Sequence, residues 1–144
     1  MPSTQVLVVD DEPAIRLVLT EVLRREGLTS TECTNGADAV EMVKKNDYAI
    51  VIMDIRMPRM DGLTALKEMR LAKPDTLVVL VTAHGNEKTA VEAVEAGAYD
   101  YFTKPFDLNE VRVVVRRAVE RLKMQSALKD AKEQSVSRYS FDRI

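Results

Sequence analysis

Residues 5–27 read QVLVVDDEPAIRLVLTEVLRREG. From Val6 to Val9 the run is apolar without alternation, the pattern of a strand covered on both faces. It stops at three consecutive acids, Asp10, Asp11 and Glu12. Pro13 then suits the first turn of a helix, Ile15, Leu19, Val22 and Leu23 fall on one face, and Gly27 can end it. This is a β-α unit with an unusual junction. The acids fit two readings. They can cap the helix and complement its dipole, or they can form a platform for a cation.

The same alternation continues outward along the chain. LTSTEC (28–33) reads as a weaker strand and GADAVEMVKKN (36–46) as a helix carrying Ala39, Val40 and Val43. YAIVIM (48–53) is a strand with almost no polar alternation, and LTALKEMRLA (63–72) is the next helix. TLVVLV (76–81) is another apolar strand. NEKTAVEAVEAG (86–97) is a helix closed by Gly97, AYDYF (98–102) is a short strand, and a last helix starts near Leu108. Five β-α repeats with doubly covered strands predict a parallel sheet between helices, joined by right-handed crossovers. Such a sheet binds ligands beyond the carboxyl ends of its strands.

Composition narrows the function classes. The chain has 144 residues, 46% hydrophobic and 31% charged, with a formal net charge of -2. That suits one domain with some extra length. It is neither a polybasic nucleic-acid surface nor an acidic disordered chain. Cys33 is the single cysteine, which excludes a disulfide framework and a cysteine zinc site, so a reducing cytoplasm is expected. The start, MPSTQ, lacks the pattern of a signal peptide, and the apolar runs are far too short to span a membrane.

The strand ends are more informative. Asp10 and Asp11 come after the first strand, Asp54 after the third, Thr82 after the fourth, and Lys104 and Pro105 after the fifth. Taken singly, Asp54 could be a turn residue, Thr82 a helix cap and Lys104 a surface charge. A parallel sheet brings all of them to one edge. Each close pair of ionised carboxylates there costs roughly 1 kcal/mol in water and about 4 kcal/mol at an effective dielectric of 20. Lys104 offsets part of this. The rest invites a hard divalent cation, and Mg²⁺ suits one or two carboxylates while leaving room for a phosphoryl group.

The stretches VLVVDDE, VIMDIRMPRMDG, VLVTAHG and AYDYFTKPF resemble, in order and spacing, the receiver domain of bacterial two-component response regulators, over roughly residues 4–122. The resemblance implies a flavodoxin-like (CheY-like) doubly wound α/β fold, a five-stranded parallel sheet in the order 2-1-3-4-5. It implies Asp54 as phosphoacceptor, Asp11 as a direct Mg²⁺ ligand, Asp10 as a ligand mainly through water, and the backbone carbonyl of Arg56 as a further ligand. Thr82, the backbone N–H of Ala83 and Lys104 would bind phosphoryl oxygens. Thr82 and Tyr101 resemble the family's switch pair, and Lys104-Pro105 its cis peptide. The implied donor is a phosphohistidine on a sensor histidine kinase, and the implied role is a signalling switch rather than a turnover enzyme. His84 could tune water access to the phosphoryl group or be an exposed loop residue. A haloacid-dehalogenase-like phosphatase also uses an aspartyl nucleophile and Mg²⁺, but it needs an acid two residues on, where Arg56 stands. A binding module that works without phosphorylation is disfavoured by the intact acid set.

The domain should be complete by about Leu122, with residues 123–144 a helical linker. A 3-4 spacing runs from Leu108 through Val111, Val115, Ala118 and Leu122, and Met124, Leu128 and Ala131 offer a shifted seam. No Gly or Pro occurs in residues 106–144. One helix from about 107 to near 134 is expected, its distal half projecting. Such a helix can form a homodimer through a short coiled coil or fray as a solvated tail. RYSFDRI (138–144) resembles the junction at which NtrC-type enhancer-binding transcription activators begin their ATPase domain. The chain is thus expected to be the receiver and linker of a longer transcription regulator. It carries no Walker motif and no DNA-binding helix pair, so direct nucleic-acid binding is not expected of it.

Overall fold

The computed structural model describes residues 5–57, 59–83 and 87–142. Their elements alternate strictly: β1 Gln5–Val9, α1 Pro13–Arg25, β2 Thr29–Cys33, α2 Gly36–Lys45, β3 Ile50–Asp54, α3 Gly62–Ala72, β4 Leu77–Ala83, α4 Glu87–Glu95, β5 Asp100–Lys104 and α5 Leu108–Asp142. The five strands are all parallel, in the order β2-β1-β3-β4-β5. The strand order and its extended last helix match the expected flavodoxin-like arrangement.

Period-2 alternation inside the apolar runs makes two cores. Val6, Val8, Ile50, Ile52, Val79 and Val81 face Leu19, Leu23, Val111 and Val115 of α1 and α5. Leu7, Val9, Val51, Met53, Val78 and Leu80 face Ala39, Leu66, Met69 and Ala93 of α2, α3 and α4. Strands that bury both faces have no polar side to show, hence their unbroken hydrophobicity. β2 pairs only with β1 and reads TSTEC because it is an edge.

Helix ends obey local chemistry. Pro13 starts α1 with its φ already helical, and Arg24 and Arg25 occupy the last turn. Gly27 then takes φ 79°, and the Gly27 and Leu28 N–H groups donate to the Arg24 and Leu23 carbonyls. Only a residue without Cβ enters that left-handed turn freely. α2 and α3 are capped by Asn35 and Asp61, whose side chains accept from the Asp38 and Thr64 N–H groups at 2.8 Å.

Several boundaries differ from those read in the sequence. Asp54 and Lys104 are the last residues of their strands and Thr82 and Ala83 the last two of β4, rather than residues that follow the strands. The ladder explains this: Asp54 pairs with Val81, Thr82 with Thr103 and Ala83 with Lys104. Extended backbone persists wherever a neighbouring strand offers hydrogen bonds, whatever the side chain. α5 likewise runs on to Asp142, beyond the expected end near 134, as the absence of any helix breaker allows.

Candidate functional site

Five polar side chains are buried among the described residues: Asp10, Asn35, Asp54, Thr76 and Thr82. Two have local explanations. Asn35 caps α2, and the Thr76 hydroxyl donates to the Tyr48 carbonyl at 2.9 Å. The other three converge at the carboxyl edge of the central strands. Register puts the two acids there: Val9 pairs with Met53, so Asp10, just past β1, comes level with Asp54, the last residue of β3.

One carboxylate oxygen from each of Asp10, Asp11 and Asp54 can be chosen so that all three lie within 4.8 Å of one another. Lys104 closes the group. Its Nζ donates to Asp54 Oδ2 at 2.6 Å and stands 3.2 Å from Asp10 Oδ2. The other Asp54 oxygen, Oδ1, accepts from the Arg56 N–H at 2.9 Å. Asp10 Oδ1 accepts from the Glu12 N–H at 2.9 Å, whereas buried Asp10 Oδ2 has no hydrogen bond of good geometry even with Lys104 near. Among the described residues the buried Thr82 hydroxyl likewise finds no hydrogen-bond partner. Asp11 is exposed and faces an open cleft of about 620 Å³, whose other wall is apolar: Ile15, Val18, Pro105 and Phe106.

Burial pushes the Asp10 carboxyl above its ordinary range, against the opposing pull of the Glu12 N–H and Lys104. For Lys104, burial favours the neutral amine, but the hydrogen bond and charge of Asp54 and the charge of Asp10 outweigh it and raise the ammonium's pKa. One ammonium against three carboxylates leaves negative charge uncompensated. An all-oxygen donor set with a buried acid oxygen that has an ion pair but no well-formed hydrogen bond fits a hard divalent cation. Helix capping does not account for the acid run, since Glu12 occupies the N-cap position of α1 without a side-chain cap bond.

The remaining residues singled out in the sequence lie around this group. Ala83 ends β4 beside Lys104. Tyr101 is 39% exposed on the edge strand β5. Strand alternation puts it on the same side of the sheet as Thr82, because Phe102 and Leu80 belong to opposite cores. Lys104-Pro105 is cis. His84 lies outside the described residues. Arg16 escaped the sequence reading, although it donates to the Asp10 carbonyl at 2.8 Å. A signal was present: Arg16 shares a helix face with Leu19 and Leu23, an odd place for a charge unless it has a partner inside.

A family model described as the response regulator receiver domain matches residues 6–116. Regulatory protein AtoC of Escherichia coli strain K12 is 41% identical over 125 residues, covering 87% of this chain and 27% of the relative. Sporulation initiation phosphotransferase F of Bacillus subtilis strain 168 is 36% identical over 117 residues, covering 81% of this chain and 94% of the relative. The crystal structure of the receiver domain of NtrX from Brucella abortus superposes with a TM-score of 0.76 at 36% identity, covering 80% of this chain and 98% of that one. The chain therefore spans one relative almost whole and only 27% of the first regulator's length.

Proposed function

The chain belongs to the response regulator receiver domain family, and from that premise we propose that it is a signalling switch whose phosphoacceptor is Asp54. The observation that carries this assignment is the cluster of Asp10, Asp11 and Asp54 with Lys104 Nζ 2.6 Å from the Asp54 carboxylate. Asp10, Asp11, Asp54 and the backbone carbonyl of Arg56 would hold Mg²⁺. When bound, the ion neutralises charge gathering on the phosphoryl oxygens.

An Asp54 carboxylate oxygen attacks the phosphorus of a phosphohistidine presented by a sensor kinase. The O–P bond forms as the P–N bond breaks, and the imidazole leaves with the electron pair. Lys104 then passes from Asp54 to a phosphoryl oxygen. The Thr82 hydroxyl, buried without a partner beforehand, gains an acceptor, and the Ala83 N–H serves another oxygen. Movement of Thr82 makes room for Tyr101 to turn inward, which couples the charge event to the β4-β5 face. Self-phosphorylation from a small phosphodonor and slow autodephosphorylation complete the chemistry; the domain turns over no substrate.

In this reading residues 1–122 are the receiver and residues 123–144 a linker, whose described part continues α5 as far as Asp142. Met124 and Leu128 stand exposed on α5 beyond the last core contact at Leu122. They supply the seam for a homodimer, through which phosphorylation changes the activity of an output domain regulating transcription in the cytoplasm. No described helix is long and apolar enough to cross a membrane.

Incubation with acetyl phosphate and Mg²⁺, with intact mass as the readout, tests the assignment. One phosphoryl group is expected on the wild-type chain and none on Asp54→Asn. Equal labelling of both would refute it.

A further inference from the structure

Beyond the acids themselves, one guanidinium ties together the ends of two strands. Arg16 lies in the first turns of α1, where its N–H bonds to the Glu12 carbonyl at 3.2 Å. Its side chain is only 16% exposed. Nη1 donates to the Asp10 carbonyl at 2.8 Å and Nε to Glu32 Oε1 on β2 at 3.0 Å. The β1-β2 ladder ends with Val9 opposite Cys33, and the Asp10 N–H still reaches the Cys33 carbonyl at 3.0 Å. Asp10 is thus held on both sides of its backbone, by a strand carbonyl and by Arg16.

That carbonyl belongs to the peptide joining Asp10 to Asp11. A peptide is planar, so fixing its C=O fixes the plane, the Asp11 N–H, and the arc through which the Asp11 side chain can leave. One guanidinium thus holds the peptide that joins two of the three acids. Arginine suits the task because its fork makes two bonds in set directions, which a lysine ammonium does not. Glu32 serves a second purpose. Its opposite charge cancels much of the guanidinium's field, so the cation beside the acid cluster contributes direction more than repulsion.

We propose that Arg16, braced by Glu32, is a positioning residue that sets the Asp10–Asp11 pair for a small divalent cation. The proposal rests on the Mg²⁺ site described under the proposed function. The two alternatives to it predict different signs. If Arg16 acted through charge, removing it would tighten cation binding. If it only stabilised the fold, thermal unfolding would shift without a change in cation preference.

Calorimetric titration of the full chain with magnesium chloride and with calcium chloride distinguishes these, with thermal unfolding in EDTA as the check on folding. Arg16→Lys and Arg16→Gln should bind Mg²⁺ about tenfold more weakly, the usual loss when a residue orienting a metal ligand is removed. Ca²⁺, which tolerates irregular oxygen geometry, should be affected much less than Mg²⁺, which demands a near-octahedral shell. Glu32→Gln keeps an acceptor for Nε and should fall between wild type and the Arg16 variants. Unchanged or tighter Mg²⁺ binding in both Arg16 variants, or equal loss of both cations, would overturn the proposal while leaving the site intact. A wild-type chain that binds neither cation would refute the site itself and this role with it.

Discussion

At the scale of single residues, Asp10 shows how the site opposes the fold. Its carboxyl is fully buried, and burial raises its pKa from 3.8. A group whose folded pKa is raised favours the folded state while protonated. Stability therefore falls as pH climbs from about the unfolded value through the folded one, and the ionised form is a liability at neutral pH. Asp10→Asn retains the oxygen that accepts from Glu12 and removes the charge. In EDTA at pH 7 it should be more stable than wild type by about 1 kcal/mol, the scale of one close like-charge pair in water. That gain should shrink toward pH 4. Millimolar Mg²⁺ should reverse the order by stabilising the wild type more than the variant, which keeps fewer acids to hold the ion. Thermal unfolding across pH, with and without Mg²⁺, reads this directly. The acids, Thr82 and Lys104 were legible in the sequence because they interrupt apolar runs. Arg16 was legible only as a charge on the apolar face of α1, which implies a partner without naming it, because the carbonyl it serves belongs to backbone.

At the scale of elements, the sequence marked each strand and helix but misplaced several ends. Apolar runs show where a strand is buried, whereas the ladder decides where it stops, and the ladder depends on neighbours distant in the chain. The contact between α1 and α5 is illegible for the same reason. Glu26, just past the end of α1, accepts from Arg112 and Arg116 at 3.1 Å, across 86 and 90 residues of chain. The Arg116 hydrogen bond foremost, with Arg112 adding to it, holds the Glu26 carboxyl below its ordinary 4.5. A depressed carboxylate stabilises the fold above its unfolded pKa, and that contribution disappears as pH falls through the lower folded value. Glu26→Gln should cost up to about 1 kcal/mol at pH 7, typical of partly exposed ion pairs. Its deficit relative to wild type should shrink once pH drops below about 4.5 and disappear only below the lower folded value, which chemical denaturation at neutral and at acidic pH would register.

At the scale of the whole molecule, the sheet gathers its polar strand ends at one edge, and α5 runs on past the domain core to Asp142. Val111, Val114, Val115 and Ala118 are buried in the domain. Further along the same helix, Met124 and Leu128 are 58% and 68% exposed. An apolar seam continuing past the core is what a helical dimer requires. The double substitution Met124→Glu, Leu128→Glu should move sedimentation toward monomer while leaving Asp54 phosphorylation intact, because neither side chain lies near the site. A dimer of unchanged strength would show that the seam has no part in association. This architecture was readable in the sequence: five β-α repeats indicated the class, and a segment free of Gly and Pro foretold the long helix. The order of the strands came from resemblance, since hydrophobic runs carry no information about which strands lie side by side.

In the function proposed above, Asp54, flanked by acids and held by Lys104, captures a phosphoryl group with the help of Mg²⁺. Borohydride reduction converts an aspartyl phosphate to homoserine, so reduction after exposure to acetyl phosphate, then peptide mapping, locates the adduct. Homoserine is expected at position 54 alone, formed with Mg²⁺ present and lost in EDTA. Homoserine at another acid, or equal conversion of Asp54 in EDTA, would refute the assignment.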